Sequence, residues 1–221
     1  MLMKIRRAAA AVALIAFGAL AAAPASAATF NFTGDFFGSI APDSPSKTFT
    51  VDGITVTVTA GTFSNASNPS NINFANRLVD LDFFSGLGAD GRFDGDNIDG
   101  RLGNDVLVFS FSRKIIFENI RFRNRDGNDD FAFGAVTGSL FDRIVDFEDV
   151  QNTVLVSAFA TMDQAMGRTF GIGAIQSNDN FTIRSIEVAA VPIPAALPLF
   201  LSGLLGMGWL ARRRRKSLSV A

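Results

Sequence analysis

Apolar and polar residues alternate strictly along Ile54-Thr55-Val56-Thr57-Val58-Thr59. That is the period of a half-buried strand. Similar short runs recur at 29–37, 47–51, 78–84, 106–111, 115–122, 131–136, 144–147, 154–159, 170–175 and 181–188. Turn formers separate them: Val51-Asp52-Gly53, Ser67-Asn68-Pro69-Ser70-Asn71, Asp99-Gly100, Asp126-Gly127-Asn128 and Ser177-Asn178-Asp179-Asn180. Between the two ends no helical pattern of about ten residues emerges; one or two turns at 160–168 are the only candidate. The spacing predicts an all-β domain, a two-sheet antiparallel sandwich of jelly-roll type, with a closed barrel as the alternative.

The last run carries a local signature. Apolar parity holds at Phe181 and Ile183, then shifts to Ile186 and Val188. A parity shift inside one strand predicts a bulge at Arg184-Ser185. The run is loosely similar to the closing strand of carbohydrate-binding-type sandwich domains.

The two ends are of another kind. Residues 1–27 read as a signal peptide: Lys4, Arg6 and Arg7, then an apolar stretch from Ala8 to Ala22, then Ala25-Ser26-Ala27 as a small-residue cleavage site. Cleavage there puts the mature start at Ala28. An uncleaved N-terminal anchor is the alternative, disfavoured by Pro24 and the Ala-x-Ala site. At the other end, Pro192, Pro194 and Pro198 fix φ and remove N–H donors. From Ala195 to Ala211 only Ser202 is polar. A helix of that length reaches about 25 Å, the short end of a membrane span. Arg212, Arg213, Arg214, Arg215 and Lys216 follow, a cluster that resists crossing a bilayer and stays on the cytoplasmic side. Residues 217–221 form a short extension.

The order of proline motif, short apolar segment and arginine run resembles the PEP-CTERM sorting tail of Gram-negative bacteria. The match is to the variant that begins Val-Pro-Leu-Pro-Ala, present here as Val191, Pro192, Ile193, Pro194 and Ala195. The resemblance covers residues 191–216. It implies recognition by an exosortase, a membrane protease-transpeptidase, with the inner membrane as a station before processing. It also implies export and an association with extracellular polysaccharide or biofilm matrix. Ile193 stands where the common motif has an acid, which implies a variant-specific sortase. A plain C-terminal anchor is the alternative.

Removing both ends leaves Ala28–Ala190, 163 residues, a normal size for one domain with a real core. Three of the 20 cations fall in the leader and five in the tail, so the middle keeps 12 against all 21 acids, a net of −9. That excludes nucleic acid and anionic lipid as favoured partners. Cys, His and Tyr are absent. Zinc sites, Ser-His-Asp triads and Cys-His dyads are therefore excluded, and no disulfide supports the fold. Phe is abundant, with 23 in the chain. Its alternating positions, such as Phe109/Phe111 and Phe131/Phe133, read as core. A sugar-stacking platform would favour Tyr and Trp, and the single Trp, Trp209, is in the tail.

Two acidic stretches are candidates for Ca²⁺. Residues 90–105 hold Asp90, Asp94, Asp96, Asp99 and Asp105 among glycines. Hard oxygen donors on a glycine-rich loop suit that ion. Arg92 and Arg101 are alternative sources of compensating charge. The second candidate is Asp126, Asn128 and Asp130, at i, i+2, i+4 spacing. Ordinary turn chemistry is the competing reading at both. Neither completes an EF-hand: Ile98, Phe131 and Thr137 occupy ligand or glycine positions. No carboxylate pair stands out for glycoside hydrolysis. The sequence thus points to an exported, non-catalytic surface or matrix protein. A carboxylate-dependent glycan-active enzyme and a permanently anchored surface protein are the alternatives.

Overall fold

The computed structural model describes residues 27–33, 42–91, 95–147, 152–158 and 160–191. The leader with Ala25, the tail from Pro192 through Ile193, Pro194, Ala195 and the basic run, and Asp94 all lie outside the described residues. Ser26–Val191 forms one compact unit.

The described chain is all-β and antiparallel throughout. In order the strands are β1 (Ala27–Asn31), β2 (Ser46–Val51), β3 (Ile54–Phe63), β4 (Ser70–Asn71), β5 (Leu78–Asp82), β6 (Gly86–Asp90), β7 (Ile98–Asp99), β8 (Asn104–Arg123), β9 (Phe131–Thr137), β10 (Leu140–Phe147), β11 (Thr153–Leu155), β12 (Met166–Ala174) and β13 (Asn180–Ala190). Hydrogen bonding runs unbroken along β4-β10-β9-β12-β8-β13-β6-β5, so the layers belong to one curled sheet.

The sequence predicts separate strands at 106–111 and 115–122. They are one strand of 20 residues, β8, passing straight through the exposed Ser112-Arg113-Lys114. On one edge it pairs with β12 and then β11. On the other edge the sheet forks. Residues 104–111 pair with β3 and residues 115–123 with β13. The β3–β2 and β13–β1 branches face each other, and Phe rings fill the gap. Phe32 meets Phe49 at 5.0 Å and Phe109 at 6.3 Å, and Phe30 meets Phe111 at 6.2 Å between ring centres. Alternation explains the filling, since every second residue of β3 turns inward: Ile54, Val56, Val58 and Ala60 are all buried.

Phe117, just past that exposed stretch, is the hub. Its ring lies within 6.4 Å of Phe109, Phe111, Phe133 and Phe170, each edge-on. Edge-to-face pairing adds to the area each ring buries. A smaller core of Phe63, Ile72, Val106, Val108, Ala132, Val136 and Phe141 covers the opposite face of the central strands. Here glycine is required by space. A Cβ on Gly171 would sit 2.7 Å from the ring of Phe141.

The register of β13 on β8 breaks between Ile183 and Ser185, where the parity shift predicts a bulge. Within the candidate stretch at 160–168 there is a single turn, Ala165 N–H to Thr161 carbonyl at 2.9 Å; another, Ala160 N–H to Val156 carbonyl at 2.9 Å, precedes it. β12 then begins at Met166.

Phe117→Ala is expected to cost about 3–5 kcal/mol in chemical denaturation, as large buried-aromatic truncations do. Phe84, 68% exposed, supplies the comparison: Phe84→Ala should stay within about 0.5 kcal/mol.

Candidate functional site

The acidic loops come first, because the sequence points to them. Asp126 Oδ1 accepts the Asn128 N–H at 3.2 Å, an Asx turn. Asp130 Oδ2 accepts from Gln176 Nε2 at 2.6 Å. Asp99 Oδ1 accepts the Arg101 N–H at 2.9 Å, and Asp96 is exposed. Among the described residues, no three acids converge in a way that would hold a metal ion. Three of the donors considered for Ca²⁺, Asp99, Asp126 and Asp130, are thus engaged by N–H groups of the protein itself.

Two acids not singled out by spacing do more. Asp179 Oδ2 accepts the N–H groups of Ile175 and Gln176 at 2.7 and 2.6 Å, while its Oδ1 accepts that of Asp130 at 3.0 Å. Asp129 accepts the N–H of Asp126 at 2.5 Å and of Asn180 at 2.8 Å. Together they tie the β8–β9 loop to the β12–β13 loop. Both are buried, and burial raises both carboxyls above their usual range against the pull of those backbone donors.

Asp105 is fully buried and paired with Arg77 at 2.5 Å. Burial pushes its carboxyl up to about 7, although Arg77 pulls it down. Asp80 is likewise held up at about 7, by burial first and then by a hydrogen bond with the Asp43 carboxyl.

The concave feature lies elsewhere, on the polar face of β1, β13 and β8. Register builds it. Thr29 stands opposite Glu187 and Glu187 opposite Asn119; one pleat along, Asn31 stands opposite Ser185 and Ser185 opposite Arg121. Residues two apart share a face, so these six form two rows of one array. With Arg184 they line a depression of about 270 Å³. The bulge brings Arg184 and Ser185 to it side by side. Phe32 N–H fixes the Arg184 carbonyl at 2.9 Å. Asn119 Nδ2 donates to Glu187 Oε2 at 3.2 Å, and Asn119 Oδ1 is buried without a hydrogen-bond partner. A second depression, about 380 Å³, adjoins the first through Asn119 and Glu187. Ile116, Ala160, Leu155, Met162 and Glu118 are among the residues that line it, and Leu155 and Met162 are exposed.

None of the seven residues of the first depression is marked as a binding residue by sequence alone. They read as ordinary strand positions, divided among three strands distant in sequence. The one usable signal is the parity shift at Arg184-Ser185.

No protein-family model matches the chain, and no curated protein matches it. Among solved structures it is similar to that of a carbohydrate-binding module, GH31 CBM32-2 bound to GalNAc. Identity is 9%, and 62% of this chain and 98% of that chain are covered, with a TM-score of 0.29. Similarity at that level says nothing about a site.

Asp105 gives a pH test. A folded pKa raised from 3.8 to about 7 contributes stability that is present below about pH 4 and lost as pH rises through about 7. The stability advantage of the wild type over Asp105→Asn should therefore shrink between about pH 4 and pH 7, in denaturation midpoints measured on the full-length protein. Asp179→Asn removes an acceptor for backbone donors in two loops and should cost about 1–3 kcal/mol.

Proposed function

We propose that this is an exported, non-catalytic protein of the cell surface or extracellular matrix, and that the polar sheet face of β1, β13 and β8 contacts polysaccharide. The observation that carries the reading is the array itself. Amide, hydroxyl, carboxylate and guanidinium groups share one depression of about 270 Å³. Those are the donors and acceptors that sugar hydroxyls need. Backbone pairing on both sides of β13 holds them, so the face is pre-formed.

Export and sorting rest on the two ends. The leader, cut before Ala28, and the Val191–Ala195 motif with its apolar segment and arginine run would deliver the domain through the inner membrane to an exosortase-type partner. The domain offers almost no linker. β13 ends at Ala190, and the Val191 N–H already bonds the Lys114 carbonyl at 3.3 Å. The sorting motif starts where the last strand stops. The jelly-roll reading of the curled sheet belongs to the same proposal.

One observation favours a glycan-active enzyme as the second reading: Glu118 and Glu187 both line the adjoining depression. Against it, Glu118 is exposed, whereas a proton-donating carboxyl needs a desolvated setting.

Full-length protein should be retained on immobilised polysaccharide, with Asn119→Ala and Glu187→Ala each weakening retention about tenfold. Retention unaffected by either change would remove the sheet face from the account. Release of new reducing ends, abolished by Glu187→Gln, would favour the enzyme. Mass spectrometry of protein recovered outside the cell should show a start at Ala28 and no residues 212–216; an intact basic end would mean a plain anchor.

A further inference from the structure

We infer that the depression on β1, β13 and β8 selects a sugar bearing a carboxylate, a uronic acid unit, through Arg121 and Arg184. This rests on the polysaccharide reading above and names its ligand class.

The charge at this face runs against that of the domain. Between the two ends 12 cations face 21 acids, yet the depression holds two guanidiniums and one carboxylate. Neither arginine forms an ion pair with a described residue, unlike Arg77 with Asp105 and Arg143 with Asp146. Two like charges in one small concavity repel, and an entering anion relieves that repulsion. Arginine is suited to the task, because its planar fork matches a carboxylate with two parallel hydrogen bonds.

The backbone explains how the pair arises. Arg121 reaches the face by regular alternation, opposite Ser185. Arg184 reaches it through the bulge, which breaks the inward–outward alternation and re-aims the side chain beside Ser185. A regular strand would not place Arg184 and Ser185 on the same face. The rest of the array suits the remainder of a sugar. Glu187, Asn119, Thr29 and Asn31 supply acceptors and donors for hydroxyls around the carboxylate. A bare anion would need none of them.

The test uses full-length protein and three probes: an oligogalacturonate, the same oligomer with its carboxylates reduced to alcohols, and polyglutamate. The expected result is binding of the oligogalacturonate at least about tenfold tighter than of the reduced form, with polyglutamate weak. Arg121→Gln and Arg184→Gln should each lower that affinity about tenfold, the effect of losing a charge-assisted hydrogen bond. Arg123→Gln, exposed on the same strand but outside the depression, should leave it unchanged and shows that overall charge is not the cause. Equal binding of the oligomer and its reduced form, sensitive to Asn119→Ala, would overturn the uronate assignment and leave the polysaccharide reading standing. Equal binding of polyglutamate would overturn it as well, since the face would then read charge alone. Binding of none of the probes, or of any neutral glycan, would overturn both.

Discussion

Strand β8 has to serve two layers at once, and the fold follows from how it manages this. Its first half lies between β3 and β12, buried on both faces from Asp105 to Phe109. Its second half lies beside β13. Each half needs a partner on the same edge, and no single straight strand supplies both. The edge therefore forks at Ser112-Arg113-Lys114, and the branches are free to turn toward one another. Phe117 sits immediately after the fork and joins rings from both halves and from β9 and β12. With no cysteine to close the structure, that aromatic cluster carries the load that disulfides carry in many small exported domains.

Much of this was legible in local pattern. Strict alternation at 54–59 predicts β3, and the parity shift predicts the bulge that the register break at Ile183/Ser185 shows. The union of 106–111 with 115–122 was not legible. Ser112, Arg113 and Lys114 interrupt the apolar pattern because all three are polar, yet they are exposed positions of a continuous strand. What keeps them extended is distant. Met166 and Gly167 of β12 pair with Ile116 and Ile115, and Ala190 of β13 pairs with Ile115. No window of the sequence contains those partners.

The acids show the same limit from the other side. Spacing at Asp126, Asn128 and Asp130 suggests three oxygens aimed at one point. Yet a backbone N–H costs free energy when buried unpaired, and the nearest carboxylates go to such groups first. Asp129 and Asp179, about fifty positions apart, each clamp the other's loop. The polar face is less legible still. Thr29, Asn31, Asn119, Arg121, Ser185 and Glu187 are each an unremarkable outward residue until three strands are set in register.

Register also ties the domain to its ends. Ala27 pairs with Ala189 and Ala28 with Val188, so the first described strand rests on the last. Ala28 is fully buried in that pairing. β1 cannot be completed until residues near 188 have joined it, so the contact is as non-local as this chain allows and is slow to form. On the proposed route, a cut between Ala27 and Ala28 falls within a strand that the folded sheet holds through its pairing with β13. The peptidase therefore has its opportunity while the chain is still emerging, before β13 arrives. Closure of the sheet then hides the processed end and, in the same step, completes the three-strand face on which Thr29 and Asn31 meet Glu187 and Ser185. On the proposed route, the proposed face is therefore finished only after the last strand has followed the first across the membrane.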